Sequence, residues 1–212
     1  MFVDCESFSW SDVSSNCDKI QNIMIRFDIS NSLIHLTRDK NGYTSENIFD
    51  KIVHERKLIG SKENIRGKFN CICFSETPIN AIGQIIAQND NKFHYGAFGF
   101  LFRKNFLFEK GARPVYYQPD SDFKLLPEEL KYRHVNFEIE KVDWTWEREW
   151  RLKSDELILD PQSVTLIVQD RCKIEEYKEK LNSENTSISM VLDGIMPTRK
   201  LEWHFIALED LC

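Results

Sequence analysis

The run Phe69-Asn70-Cys71-Ile72-Cys73-Phe74-Ser75 passes without a break into Glu76-Thr77-Pro78. The first part reads as a strand, rich in β-branched and aromatic side chains. The second part reads as a helix start, with Thr77 as N-cap and Pro78 at the first helical position. The apolar residues Ile82, Ile85 and Ile86 continue that helix at its own period. Few stretches commit a chain to a strand and a helix at once, so the rest is read around this junction.

Before it, Leu33–Thr37 reads as a short buried strand carrying His35, and Lys40-Asn41-Gly42 as a turn. Thr44 or Ser45 caps a helix expected to reach about Leu58, with Ile48, Phe49, Ile52 and Val53 inward and Gly60 as its stop. After the junction come a strand over Tyr95–Phe102, a turn and strand over Gly111–Tyr117, and a short helix from Pro127. Gly96 and Gly99 inside the Tyr95 strand mark a bulge or a close backbone approach. Strands are then expected over Trp144–Leu152, Ser163–Gln169, Ile188–Leu192 and Glu202–Leu208, and a helix over Lys173–Leu181. Residues 20–29 have apolar positions near helical spacing. No repeat, low-complexity tract or long linker divides the chain. It is read as a single domain over 1–212, with a core at roughly 33–170, an N-terminal extension at 1–32 and a C-terminal helix and strands at 171–212. Strands mixed with short helices, without regular βαβ alternation, define the α+β class with a mixed, largely antiparallel sheet.

At 212 residues, 42% hydrophobic and 29% charged, the composition is that of a globular domain with a sizeable core. The formal net charge of −6 argues against broad binding to a nucleic-acid backbone, and the basic spots Arg66/Lys68, Arg103/Lys104 and Lys131/Arg133 are short. Among the six cysteines only Cys71 and Cys73 are close; on a strand they share a face, and their spacing is not that of a zinc or redox motif. No secretory leader opens the chain and no apolar run reaches transmembrane length, so a reduced, cytoplasmic protein without a membrane is expected.

The chemistry-bearing stretch is Asp143-Trp144-Thr145-Trp146-Glu147-Arg148-Glu149-Trp150-Arg151-Leu152. As a strand it would put Trp144, Trp146 and Trp150 on one face and Glu147, Glu149 and Arg151 on the other. Two carboxylates pointing the same way raise each other's pKa unless a cation compensates, and Arg151 is placed to do so. An exposed sheet face with alternating charges gives the same pattern. His35 between Ile34 and Leu36 is read either as a hydrogen-bonded core residue or as a functional group, with Thr37 sharing its face. Glycine-rich phosphate loops, a nucleophile elbow and Cys/His metal spacings are absent, and His94 and His134 have no sequence partners.

His35-x-Thr37-Arg38, Cys73-Phe74-Ser75-Glu76-Thr77-Pro78, Tyr95-Gly96-x-Phe98-Gly99-Phe100 and Trp146-Glu147-Arg148-Glu149-Trp150-Arg151, in that order, resemble the AbiGi-type abortive-infection family of bacterial phage-defence proteins. The order is also similar to the ADP-ribosyltransferase superfamily, including its DarT-like members. That resemblance, over roughly residues 33–170, implies an ADP-ribosyltransferase-like sheet and NAD as substrate, with no metal. It implies His35, Thr37, Arg38, Phe74, Ser75 and Tyr95 as the NAD-binding set, Glu149 as the catalytic acid, Glu147 as its assistant and the tryptophans as scaffold. The sequence departs from the pattern at Phe74, where many His-type members carry Tyr, and in the tryptophans around the acids. The expected function is a toxin-like enzyme that modifies a protein or nucleic acid, or an NAD glycohydrolase. The competing expectation is a non-catalytic antitoxin or sensor that binds another defence-system protein. A metal-dependent nuclease lacks the further acidic residues it would need.

Overall fold

Thr44 takes an extended backbone, its Oγ1 accepts the Asn47 N–H, and the Asn47 side-chain oxygen accepts the Thr44 N–H. This reciprocal cap opens helix α1 (Ser45–Glu55), whose Phe49 and Val53, one turn apart, are buried. The helix ends before Leu58. Arg56 adopts the left-handed conformation (φ 52°), and Lys57–Ile59 turns into a short strand, β2. Gly60 has another role: a Cβ there would lie 2.1 Å from the Ser154 carbonyl oxygen, so it permits a close backbone approach rather than stopping a helix.

The computed structural model describes residues 29–88, 95–192 and 202–211; most of the helical spacing read over 20–29 lies outside them. The main sheet contains β1 (Ser32–Arg38), β3 (Cys71–Ser75), β4 (Tyr95–Arg103), β5 (Arg113–Pro114), β8 (Glu149–Lys153), β10 (Val164–Val168) and β11 (His204–Ala207). Their spatial order is β11-β10-β4-β1-β3-β8-β5. Neighbours run antiparallel except β10 and β11, which are parallel across helix α4 (Arg171–Leu192). The expected Ile188–Leu192 strand is therefore the end of α4. Two small ribbons flank the sheet: β2 with β9 (Glu156–Ile158), antiparallel, and β6 (Tyr116–Gln118) with β7 (His134–Asn136), parallel. Helices α2 (Ile79–Gln88) and α3 (Lys104–Glu109) complete an α+β fold with a mostly antiparallel sheet.

Apolar side chains cover both sheet faces. On one, Leu33, Phe100, Phe102 and Leu166 pack with Phe49 of α1 and Tyr177 of α4, whose rings meet edge to face at 5.3 Å. On the other, Ile34 and Ile167 pack with Ile82 of α2 and Leu208. Gly99 is fixed by this packing, because a Cβ there would sit 2.5 Å from the His35 carbonyl oxygen across the β1–β4 ladder. Gly99→Ala is expected to cost about 1–3 kcal/mol in a urea melt, since backbone must move to admit the methyl.

The expected Trp144–Leu152 strand begins only at Glu149. Thr145–Glu147 is a turn of 3-10 helix and Arg148 is left-handed (φ 46°). Local hydrogen bonds explain the difference. The Asp143 carboxylate accepts both the N–H and the hydroxyl of Thr145, at 2.8 and 2.6 Å, and draws the chain into a turn. The Ser75 and Thr77 hydroxyls then take the carbonyls of Glu147 and Trp146. Thr77 thus sends its hydroxyl proton to this turn from the position where a helix cap was expected.

Candidate active site

The register between β1 and β3 holds a single pair, Ile34 with Ser75, whereas β3 and β8 pair over five positions and β1 and β4 over six. Beyond that pair the two strands part and the sheet opens a seam. His35 spans it: its Nδ1 lies 2.8 Å from the Cys73 carbonyl oxygen, where a ladder N–H would otherwise donate. A carbonyl only accepts, so Nδ1 carries the proton and Nε2 presents a lone pair. Burial pushes the pKa of His35 below its ordinary value, and the Arg38 charge adds to this against the Cys73 hydrogen bond. The ring is therefore neutral at physiological pH.

A cavity of about 850 Å³ opens along the seam. Its lining includes residues from β1, β3 and β7, together with Tyr95, Trp144, Trp146, Glu147, Glu149 and Arg151. Strand alternation sends Glu149, Arg151, Cys73 and Ser75 to one sheet face and His35 to the other, where its ring packs against Phe74 and Phe100. His35 and Glu149 both line the cavity although they leave the sheet on opposite faces.

The two acids sit in unlike surroundings. Arg151, 4% exposed, donates from Nε to Glu149 Oε1 at 2.7 Å and from Nη2 to Oε2 at 3.0 Å. Its Nη1 donates to the carbonyls of Tyr132 and His134. The Tyr117 hydroxyl accepts the Glu149 N–H at 2.8 Å. Glu149 is thus fixed in position and matched in charge. Glu147 lacks such a clamp. The Tyr95 hydroxyl donates to its Oε1 at 3.1 Å, yet burial and the neighbouring Glu149 charge push its pKa up to about 7. The Cys71 thiol is pushed up to about 11 and that of Cys73 well above its ordinary value, chiefly by burial, so neither supplies a thiolate at neutral pH.

The other expected site residues have different occupations. Thr37, 3% exposed, gives its hydroxyl proton to the Phe98 carbonyl and ties β1 to β4. Phe74 is buried edge-on against Phe102 at 5.6 Å, which leaves Tyr95 as the less enclosed aromatic of the expected NAD-binding set. Ser75 holds the acid-bearing turn from beneath. Arg38 borders the cavity, paired with Glu63 at 3.5 Å, and its charge acts to lower the Glu147 pKa. The tryptophans divide. Trp150 packs on the core and donates to Glu76, whereas Trp144 and Trp146 line the cavity. His134 and Asn136 reach the site from a sequence-distant strand with no local signal to announce their place in it, and Tyr117, readable in sequence only as a candidate stacking ring, instead holds the Glu149 N–H; Arg151 was legible as the residue two beyond Glu149.

Among the described residues, no group of three or more His, Cys, Asp or Glu is placed to hold a metal ion, and no helix is long and apolar enough to cross a membrane. No family model matches the chain, and no curated protein or solved structure matches it.

Proposed function

We propose that the protein cleaves the nicotinamide–ribose bond of NAD and passes the ADP-ribosyl group to a cellular macromolecule or to water, as a toxin-like component of a bacterial anti-phage defence system. The observation that carries this reading is the acid pair: one carboxylate is clamped by Arg151, the other has a pKa near 7, and both line a cavity with a neutral histidine. Two carboxylates whose environments differ in this way suit two chemical roles. Breaking the glycosidic bond releases neutral nicotinamide with the bonding electron pair and leaves positive charge on the ribose C1′ and ring oxygen. The Glu149 carboxylate stabilises that charge more than it stabilises the ground state. His35 Nε2 accepts from a ribose hydroxyl and fixes the sugar. Glu147 takes the proton lost by the attacking acceptor, the role its pKa fits. The adjacency of β1, β3 and β8, which brings His35, Ser75 and Glu149 onto neighbouring strands, supports an ADP-ribosyltransferase-like arrangement. The defence setting rests on the motif resemblance.

The test is nicotinamide release from NAD, with and without cell extract. The kcat of the wild type is expected to rise with pH through an apparent pKa of about 7, because the base form of Glu147 accumulates above it. Glu147→Gln should remove that limb. Linkage gives a second readout. A carboxyl whose pKa rises from 4.5 to about 7 on folding binds more protons folded than unfolded across that window, so stability falls as pH rises through it, by roughly 3 kcal/mol at full effect. The Gln variant should lack this slope. Absence of NAD turnover under every condition would overturn the reading. It would favour a partner-binding protein, the reading to which the saturated Arg151–Glu149 clamp lends weight.

A further inference from the structure

Three buried acceptor atoms on the β6–β7 ribbon have no hydrogen-bond partner: Gln118 Oε1, His134 Nδ1 and Asn136 Oδ1. An unsatisfied buried acceptor costs about 1–3 kcal/mol, and native structures keep few. The parallel register sets Gln118 beside Asn136. His134 and Asn136 are two apart on β7, share a face, and both line the cavity. His134 is 1% exposed, and its Nε2 lies 3.3 Å from the Pro119 carbonyl. That oxygen only accepts, which assigns the proton to Nε2 and leaves Nδ1 as an acceptor. The Asn136 amide nitrogen donates to the Glu138 carboxylate at 3.5 Å, which leaves Oδ1 as the atom in need of a donor. Each of the two atoms would be satisfied by an N–H donor brought to this edge of the cavity. Trp144, 43% exposed, and Trp146 line the same cavity, and base–indole stacking is the contact such side chains make with a flat ring.

We propose that β7 is a base-reading subsite, in which His134 and Asn136 accept hydrogen bonds from the exocyclic amino group of a nucleobase stacked on the cavity tryptophans. The inference rests on the NAD-cleaving reading only in taking the cavity as a nucleotide site. The base is the adenine of NAD itself or an amino-bearing base of an acceptor. A keto base in the same place sets its oxygen against acceptors and is rejected.

The experiment is titration of the full chain with AMP against IMP, and with CMP against UMP, followed by tryptophan fluorescence. Within a pair the members differ in amino against keto substitution. The amino member is expected to bind about tenfold more tightly or better, the discrimination one well-read base edge provides. A preference in the purine pair alone identifies adenine, and a preference in both pairs identifies a subsite that reads the amino edge of either ring; displacement of bound AMP by NAD then identifies the adenine of NAD, and its absence an acceptor base. Asn136→Leu should bring the ratio close to one without lowering the melting temperature, since it removes an unsatisfied acceptor. Trp144→Ala, at a surface position, should weaken all four nucleotides alike and leave the ratio intact. Equal affinities within both pairs, or no binding of any of the four at millimolar concentration, would sink the proposal. So would an Asn136→Leu protein that melts lower yet keeps the amino preference, for then Asn136 is structural. An amino preference without NAD cleavage keeps this inference and removes the NAD-cleaving reading; cleavage with equal affinities does the reverse.

Discussion

Arg151→Met is expected to lower stability by about 3–5 kcal/mol, the penalty of leaving one partner of a buried ion pair alone. Methionine approximates the length of the arginine stem, so the volume change is small and the loss is electrostatic. Glu149 would keep its burial and lose the guanidinium that engages both of its oxygens, while the Tyr132 and His134 carbonyls would lose the donor they share. Urea unfolding measures the effect. Removing the charge as well, in Glu149→Gln/Arg151→Met, should recover much of the loss, since a neutral pair needs no cation. A single variant as stable as the wild type would mean that Arg151 contributes packing and no charge compensation.

The largest functional effect is expected at Glu149. Glu149→Gln keeps the shape and removes the charge that faces the developing oxocarbenium ion, and nicotinamide release should fall by about 10²–10³-fold or more. NAD binding should change far less, because the charge matters chiefly in the transition state. The variant also loses stability: an amide offers Arg151 one acceptor oxygen where the carboxylate offers two. Circular dichroism and a thermal melt therefore accompany the kinetics. A folded Glu149→Gln protein with wild-type turnover would move the chemistry to Glu147. If expression of the wild type arrests growth, the same variant should relieve it.

Much of this was legible along the chain. The strand–helix junction at Ser75 and Pro78, the α1 cap at Thr44 and the close approach at Gly99 follow from local residue chemistry, which neighbours in sequence decide. The acids at 147 and 149 and their cation at 151 were visible as a spacing. The strand assignment of Trp144–Glu147 failed because alternating large and small side chains also suit a turn when Asp143 captures the Thr145 backbone, and because Ser75 and Thr77 pull on that turn from another strand. The Ile188–Leu192 strand failed because β-branched content is a weak guide at the end of a long helix. Unlike surroundings for the two acids could not be read locally: Tyr95, Tyr117 and Tyr132 arrive through tertiary folding.

The single β1–β3 pair carries an evolutionary consequence. In an unbroken sheet, changing the distance between two neighbouring strands disturbs every rung between them. Here the β4–β1 ladder and the β3–β8 ladder each keep their own register, and the gap between them is bridged by one imidazole. Descendants of this chain can widen or narrow the pocket by altering the bridging side chain and the loops at its mouth, while both ladders retain their pairing. Pocket width is thereby separable from strand register.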